Sequence, residues 1–415
     1  MVVRAAGADG PAVARALAPH VDAVTLGPEP GLLYVTSPSP AEAAAALADP
    51  ARVVVAPPEV LVRSGPGWFA RVTEAATPTG PPPPAVLGVG RDPRRWPAWW
   101  WGVLTGVGMV VAGLGAAAIA LGPVLLWYDR AYLGLDTGQL AAVNAHLTHF
   151  LRHDRITMAG TMVTIGVLFA GLAAGGMRRG WPWAREVYLL TGWVGFPTLF
   201  YFLGLGFVEP LHTAVTVVLF PVFVAATRRR PARPRWTLLP EGPERERHRA
   251  LLGQLLLVLV GFGLFIGGVA VSAVGLTGVF VDSDLEFLGT DRATLDAAHP
   301  RLLAFVAHDR AGFGGALMAA ATAVTLLAAW GWRRGESWVW WTLALAAVSG
   351  FLPALLVHGA IHYTDFWHLA PVYAAVAGTA VALALARPYL CTRPERAPQP
   401  PPAPRRKAAA GHRVP

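Results

Sequence analysis

The sequence predicts an α-helical integral membrane protein: eight spans, built as a tandem repeat of a four-helix unit and preceded by a small α/β cytoplasmic cap. Three observations predict it. Hydrophobic residues make up 54% of the chain and charged residues only 14%, with long uninterrupted apolar stretches, which is the composition of membrane helices rather than of a soluble core. Arginines sit in short segments between those stretches, the positive-inside arrangement. Finally, residues 128–162 align without a gap onto residues 283–317, each partner lying 155 positions further on. The identical pairs include Asp129/Asp284, Leu133/Leu288, Gly134/Gly289, Asp136/Asp291, Leu140/Leu295, Phe150/Phe305 and Gly160/Gly315, around a shared tripeptide, His153-Asp154-Arg155 and His308-Asp309-Arg310.

Residues 1–80 form the cap, with candidate strands at Val2–Ala5, Ala23–Leu26, Leu32–Thr36 and Arg52–Val55 and Ala-rich helical stretches at Pro11–His20, Pro40–Leu47 and Gly67–Ala75. That order fits a small βαββαβ sandwich. A Pro/Arg linker at 81–96 opens with four consecutive prolines. The first membrane repeat occupies 97–227, with spans at about Trp101–Trp127, Ile156–Gly175, Val187–Phe207 and Leu211–Ala226. A basic linker at 228–250 sets Arg228, Arg229, Arg230, Arg233, Arg235, Arg245, Arg247 and Arg249 against three glutamates, which places it in the cytoplasm. The second repeat occupies 251–388, with spans at about 252–280, 311–332, 338–361 and 367–387. Residues 389–415 are a basic, Pro-rich tail with too little apolar surface to fold.

Eight spans put both termini and the Arg178-Arg179 and Arg333-Arg334 loops in the cytoplasm of a cell whose inner or plasma membrane the chain crosses. Residues 136–153 then carry an amphipathic helix on the extracytoplasmic surface, opened by an Asp136/Gln139 capping box, with a counterpart at 291–307. Trp181, Trp183, Trp338, Trp340 and Trp341 read as interfacial anchors. Pro197 and Pro353 lie mid-span, where a kink is expected. Glycines at matched offsets, Gly113 and Gly268 among them, suit close helix packing. The net charge of +9 sits beside apolar spans, so the expected partner is the lipid bilayer and not nucleic acid. The single cysteine, Cys391, excludes an internal disulfide and a Cys-based metal cluster. The N-terminus carries no signal-peptide pattern.

The candidate site is a set of polar residues repeated at the extracytoplasmic side. His153, Asp154 and Arg155, with His308, Asp309 and Arg310, stand where the second and sixth spans begin. Glu209 and His212, with Asp365 and His368, stand where the fourth and eighth begin. His358 and His362 flank the end of the seventh. Asp154 and Asp309 read as helix N-caps, and Arg155 and Arg310 as partners of lipid headgroups or of Glu209 and Asp365. The same set offers metal ligands, because an acid and a histidine three apart share one helical face. Imidazole with carboxylate suits a transition metal. A bis-histidine haem on His153/His212 or His308/His368, and a quinone near a His/Asp pair, are the other two chemistries the set supports.

The stretch from Gly31-Leu-Leu-Tyr-Val-Thr-Ser-Pro through Pro40-Ala-Glu-Ala and Arg52-Val-Val-Val to Leu61-Val-Arg-Ser-Gly-Pro-Gly-Trp-Phe-Ala-Arg-Val-Thr-Glu-Ala75 resembles the last two βα units of a dihydroorotate dehydrogenase barrel. The run Tyr128-Asp129…Leu133-Gly134…His153-Asp154-Arg155 resembles a membrane extension fused to some bacterial members of that family. The resemblance implies a non-catalytic anchoring or accessory module, whose flavin barrel would be a separately encoded partner subunit. FMN is not expected in this chain alone. Fewer than about 100 residues precede the membrane where a barrel needs about 250. Pro38 replaces a backbone donor in the phosphate loop, and Glu59 stands near where the phosphate would lie.

Overall fold

The computed structural model describes residues 85–228 and 243–392 throughout, and before them the pieces 2–4, 10–20, 23–25, 32–38, 42–43, 46 and 53–60. The Ser64-Gly65-Pro66-Gly67 motif, most of the basic linker and the tail lie outside the described residues. In the N-terminal pieces, β1 (Val2–Arg4) pairs in parallel with β2 (Ala23–Thr25) across α1 (Gly10–Leu17), and β3 (Leu32–Tyr34) pairs in parallel with β4 (Val53–Val55). Parallel pairing is what a connection crossing over the strands imposes.

The remainder is helical. In chain order it comprises α2 (Ala98–Leu121), α3 (Trp127–Leu133), α4 (Thr137–Val143), α5 (Leu147–Gly171), α6 (Pro182–Gly195), α7 (Phe200–Leu205), α8 (Pro210–Thr227), α9 (Glu244–Leu276), α10 (Asp282–Leu288), α11 (Arg292–Ala298), α12 (Leu302–Gly331), α13 (Ser337–Ala360) and α14 (Phe366–Leu390). Among the described residues seven helices, α2, α5 with its continuation to Arg179, α8, α9, α12, α13 and α14, are long and apolar enough to cross a membrane. The protein is therefore multi-pass by architecture.

The stretch expected as the third span is not one helix. After Gly195 the chain tightens into a 3-10 turn at Phe196–Leu199 before resuming as α7. Pro197 removes a backbone donor there. Pro353, by contrast, stays inside the continuous α13.

Two helices form the centre. In the most apolar windows of α5 and α12, 67% and 56% of residues are buried, against 17–28% in the other candidate spans. Each central helix packs against two others: α5 on α2 and α13, α12 on α9 and α6. The close approach depends on missing side chains. A Cβ on Gly113 would lie 2.8 Å from the Ala159 carbonyl oxygen, and one on Gly268 would lie 2.8 Å from that of Gly314. Gly113→Leu and Gly268→Leu should each cost about 1–3 kcal/mol, seen as a lower unfolding temperature in detergent. Gly263→Leu, whose Cβ meets nothing within 4 Å, should not.

The short helices correct the expectation of one amphipathic helix at 136–153. The capping box at Asp136 and Gln139 forms, but α4 ends at Asn144 and residues 147–153 belong to α5. The counterpart breaks at His299, ahead of Pro300. Side chains at these breaks tie the two halves together at what we call the capped end: Asn144 Nδ2 donates to the Leu288 carbonyl at 2.8 Å, and Arg301 Nη1 to that of Tyr132 at 2.6 Å. At the opposite end Arg179 pairs with Glu336 at 2.5 Å and Trp183 stacks on Trp338. Trp181 and Trp183 are buried core residues rather than interfacial anchors, whereas Trp341 is exposed.

Candidate functional site

Because α5 begins at Leu147 and α12 at Leu302, the His-Asp-Arg tripeptides lie nearly two turns inside their helices. Asp154 and Asp309 are consequently not N-caps, and both tripeptides are buried. A buried charge requires a partner, and each tripeptide finds it on the other helix. Arg155 Nε donates to Asp309 Oδ2 at 2.8 Å, and Arg310 Nε to Asp154 Oδ2 at 3.3 Å. Glu209 and Asp365, the partners expected for these arginines, instead cap α8 and α14 by accepting from the backbone N–H of His212 and His368.

The ion pairs extend to two aspartates that sequence reasoning had noted only as matched positions. Arg155 Nη1 reaches Asp129 Oδ2 at 3.0 Å, and Arg310 Nη1 reaches Asp284 Oδ2 at 2.5 Å. Each of these aspartates also closes its own short helix, accepting from Leu126 N at 2.9 Å and Val281 N at 2.8 Å. The same arginine nitrogens donate to the carbonyls of Val124 and Val279, at 2.5 and 3.1 Å. Both valines hold positive φ, 60° and 69°, which is costly for a β-branched residue and persists where surrounding contacts fix it. Finally, Arg310 lies over the Phe150 ring at 4.8 Å and Arg155 over that of Phe305 at 5.2 Å. Two clusters result: Arg155 with Asp129 and Asp309, and Arg310 with Asp154 and Asp284.

Around these clusters the histidines differ. At the Arg310 cluster, His153, His358 and His368 each bring a ring nitrogen within 4.8 Å of the others, the one such group of potential metal ligands among the described residues. His153 Nε2 and His358 Nε2 face each other at 3.0 Å. His358 Nδ1 faces the Ala354 carbonyl at 2.7 Å, and His153 Nδ1 lies 2.9 Å from Asp154 Oδ1 without the geometry of a hydrogen bond. His368 Nδ1 lies 3.2 Å from Ser283 Oγ and 3.1 Å from the Tyr363 hydroxyl, which itself donates to Asp284 Oδ1 at 2.9 Å. Burial first, then the Asp284 carboxylate, raises the Tyr363 pKa, so the phenol stays a donor. Tyr363 and Ser283 escaped the sequence reading because neither is repeated.

At the Arg155 cluster, His308 Nδ1 lies 3.1 Å from Asp309 Oδ1. Phe207 packs edge-on against His308, 4.9 Å between ring centres, as Tyr363 does against His153 at 5.8 Å. His308 and His212 border a common cavity. The histidine pairings foreseen for haem are therefore exchanged: His153 meets His358 and His368, and His308 shares its surroundings with His212. His362 and Asp365 are exposed.

Fold and site together define a multi-pass helical protein with a buried arginine–aspartate lattice and an imidazole triad at one end of its bundle. Compared with known proteins, the chain matches no family model, no curated protein and no solved structure.

Proposed function

We propose that this is an eight-span membrane protein, a duplicated four-helix unit, that holds a divalent transition-metal ion on His153, His358 and His368. The observation that carries the reading is the convergence of three imidazoles, His153, His358 and His368, on one point. A carbonyl oxygen can only accept, so His358 carries its proton on Nδ1; the Asp154 carboxylate favours the same tautomer for His153. With His153 in the same tautomer, two Nε2 lone pairs face each other across 3.0 Å. A cation between them removes the repulsion. Two nitrogens bound at about 2.05 Å to a tetrahedral ion stand about 3.3 Å apart, close to this spacing. Asp154 and Ala354 act as the outer partners that fix ring orientation at such sites.

Charge supports the same reading. At the Arg310 cluster beside the triad two aspartates, Asp154 and Asp284, meet one arginine, a formal excess of one negative charge. A divalent ion would offset it in a medium where an unbalanced charge is costly. Imidazole favours zinc, copper, iron or nickel over magnesium or calcium. Three protein ligands leave a further position for water or a substrate, as catalytic metal sites do.

In this reading Pro182–Leu205 crosses the membrane as a broken third span, and the arginine-rich segments face the cytoplasm. The metal end is then extracytoplasmic. Elemental analysis of the protein purified in mild detergent tests the site. About one equivalent of a transition metal per chain is expected, with less than a tenth of it in His358→Ala. Stoichiometric metal retained by that variant would count against the assignment.

A second reading keeps the anchoring role implied by the dihydroorotate dehydrogenase resemblance, with which the parallel pairing of β3 with β4 is compatible. It requires a separately encoded flavin barrel to co-purify with this chain. Isolation from the native membrane without any flavoprotein partner would oppose it.

A further inference from the structure

The Arg155 cluster differs from its counterpart by opening into a cavity of about 280 Å³ between α2, α5 and α8. Its polar end is formed by Tyr128, Arg155, Glu209, His212, His308 and Asp309; its walls are apolar, from Ala112, Ala116, Ile119, Met158, Met162 and Val215. Val111 and Gly115 on its border are exposed on the side of α2 that faces away from the protein, so a molecule could enter from the membrane. From this geometry we infer a binding site for a small amphipathic organic cation, with an ammonium group at the carboxylates and a hydrocarbon body along α2.

The polar end is rich in acceptors. Arg155 is committed to Asp309, Asp129 and the Val124 carbonyl. Glu209 adds a third buried carboxylate with no second guanidinium to balance it. Asp129 Oδ1, outside the cavity lining and on the other side of the Arg155 ion pair, is buried without a hydrogen-bond partner. The equivalent oxygen of Asp284 receives the Tyr363 hydroxyl, and Phe207, which occupies the Tyr363 role beside His308, has none to give. Two of these carboxylates, Glu209 and Asp309, line the cavity with one guanidinium, Arg155, so the polar end carries a formal excess of negative charge. An anionic head group would meet Glu209 and Asp309 and be repelled. A plain acyl chain would leave those carboxylates against hydrocarbon, which is costly. A protonated amine supplies the missing positive charge, and the apolar walls take its tail.

The site does not use the His153 triad, so this inference stands or falls separately from metal binding. The test uses the full chain in phosphatidylcholine nanodiscs, titrated calorimetrically with octylamine, octanol and octanoate, with the heats of empty nanodiscs subtracted. The three share a tail and differ only in the head. Octylamine is expected to bind about tenfold more tightly than octanol, the margin of a charge-assisted over a neutral hydrogen bond, and octanoate more weakly than either. Glu209→Gln keeps an oxygen for the α8 cap and should abolish most of the amine's advantage while leaving octanol unchanged. Ala116→Phe, which fills the cavity from its membrane-facing side, should remove binding of both. Equal affinity for the three heads, tighter octanoate, or an amine preference untouched by Glu209→Gln would each overturn the proposal.

Discussion

Arg155→Leu is expected to unfold this protein or bring it to the edge of unfolding. The guanidinium holds two buried carboxylates, Asp129 and Asp309, and ties α5 to α12 and to the entrance of α3. Removing it leaves both carboxylates buried and uncompensated between the helices at the capped end. Breaking a buried pair by deleting one partner costs about 3–5 kcal/mol, a large share of the 5–15 kcal/mol typical of a folded domain. Arg310→Leu should act alike through Asp154 and Asp284. Arg130, one helical turn into α3 and exposed, supplies the control: Arg130→Leu should leave stability unchanged. Because the cost arises from unpaired carboxylates, Arg155→Leu combined with Asp129→Asn and Asp309→Asn should recover part of the loss. Thermal unfolding in detergent, followed by circular dichroism, reads all of these. An Arg155→Leu protein as stable as the parent would mean that the lattice does not hold the two halves together.

The second large effect concerns metal-linked stability. Anything that binds only the folded state raises its stability by mass action, by about 2.7 kcal/mol at a hundred times the dissociation constant. Adding a strong chelator to the parent protein should therefore lower its unfolding temperature, and restoring the metal should return it. In His358→Ala the chelator should have no further effect, since one of the three ligands is gone. In His212→Ala, outside the triad, the chelator should act as in the parent. A chelator response that survives His358→Ala would place the ion elsewhere.

Much of the architecture was legible in the sequence, for particular reasons. The long apolar runs fixed where membrane-length helices lie, since hydropathy over about 20 residues is a strong signal. The 155-residue offset picked out Asp129, Asp284, Phe150 and Phe305 before any contact was known, although only the structure gave them roles. What failed was local. Asp154 and Asp309 look like N-caps because polarity rises there, yet the helices start earlier, at Leu147 and Leu302, where the apolar pattern is already helical. Sequence periodicity reports that a face is apolar but not how far a helix extends beyond the membrane boundary.

Partner choice was equally hidden. Arg155 and Arg310 were expected to meet lipid headgroups or Glu209 and Asp365; instead each arginine bonds across to the aspartate of the other tripeptide. That exchange is a property of how α5 and α12 lie against each other, which one chain's spacing does not encode. The triad depends further on His358 and Tyr363, neither of which has a counterpart in the first half. Duplication drew attention to what the halves share, while the asymmetric residues distinguish an imidazole triad at one cluster from a cavity at the other.

The measurement that bears most directly on the central claim is a titration of metal-free protein with cobalt(II), followed by visible absorption. Imidazole ligands in a low-coordinate site give cobalt intense d–d bands, whereas the hydrated ion is nearly colourless. The parent protein should develop such bands and saturate at about one equivalent, His153→Ala, His358→Ala and His368→Ala should each lose them, and His212→Ala should keep them. A parent protein that stays colourless, or bands that persist in His358→Ala, would contradict a metal ion held by His153, His358 and His368.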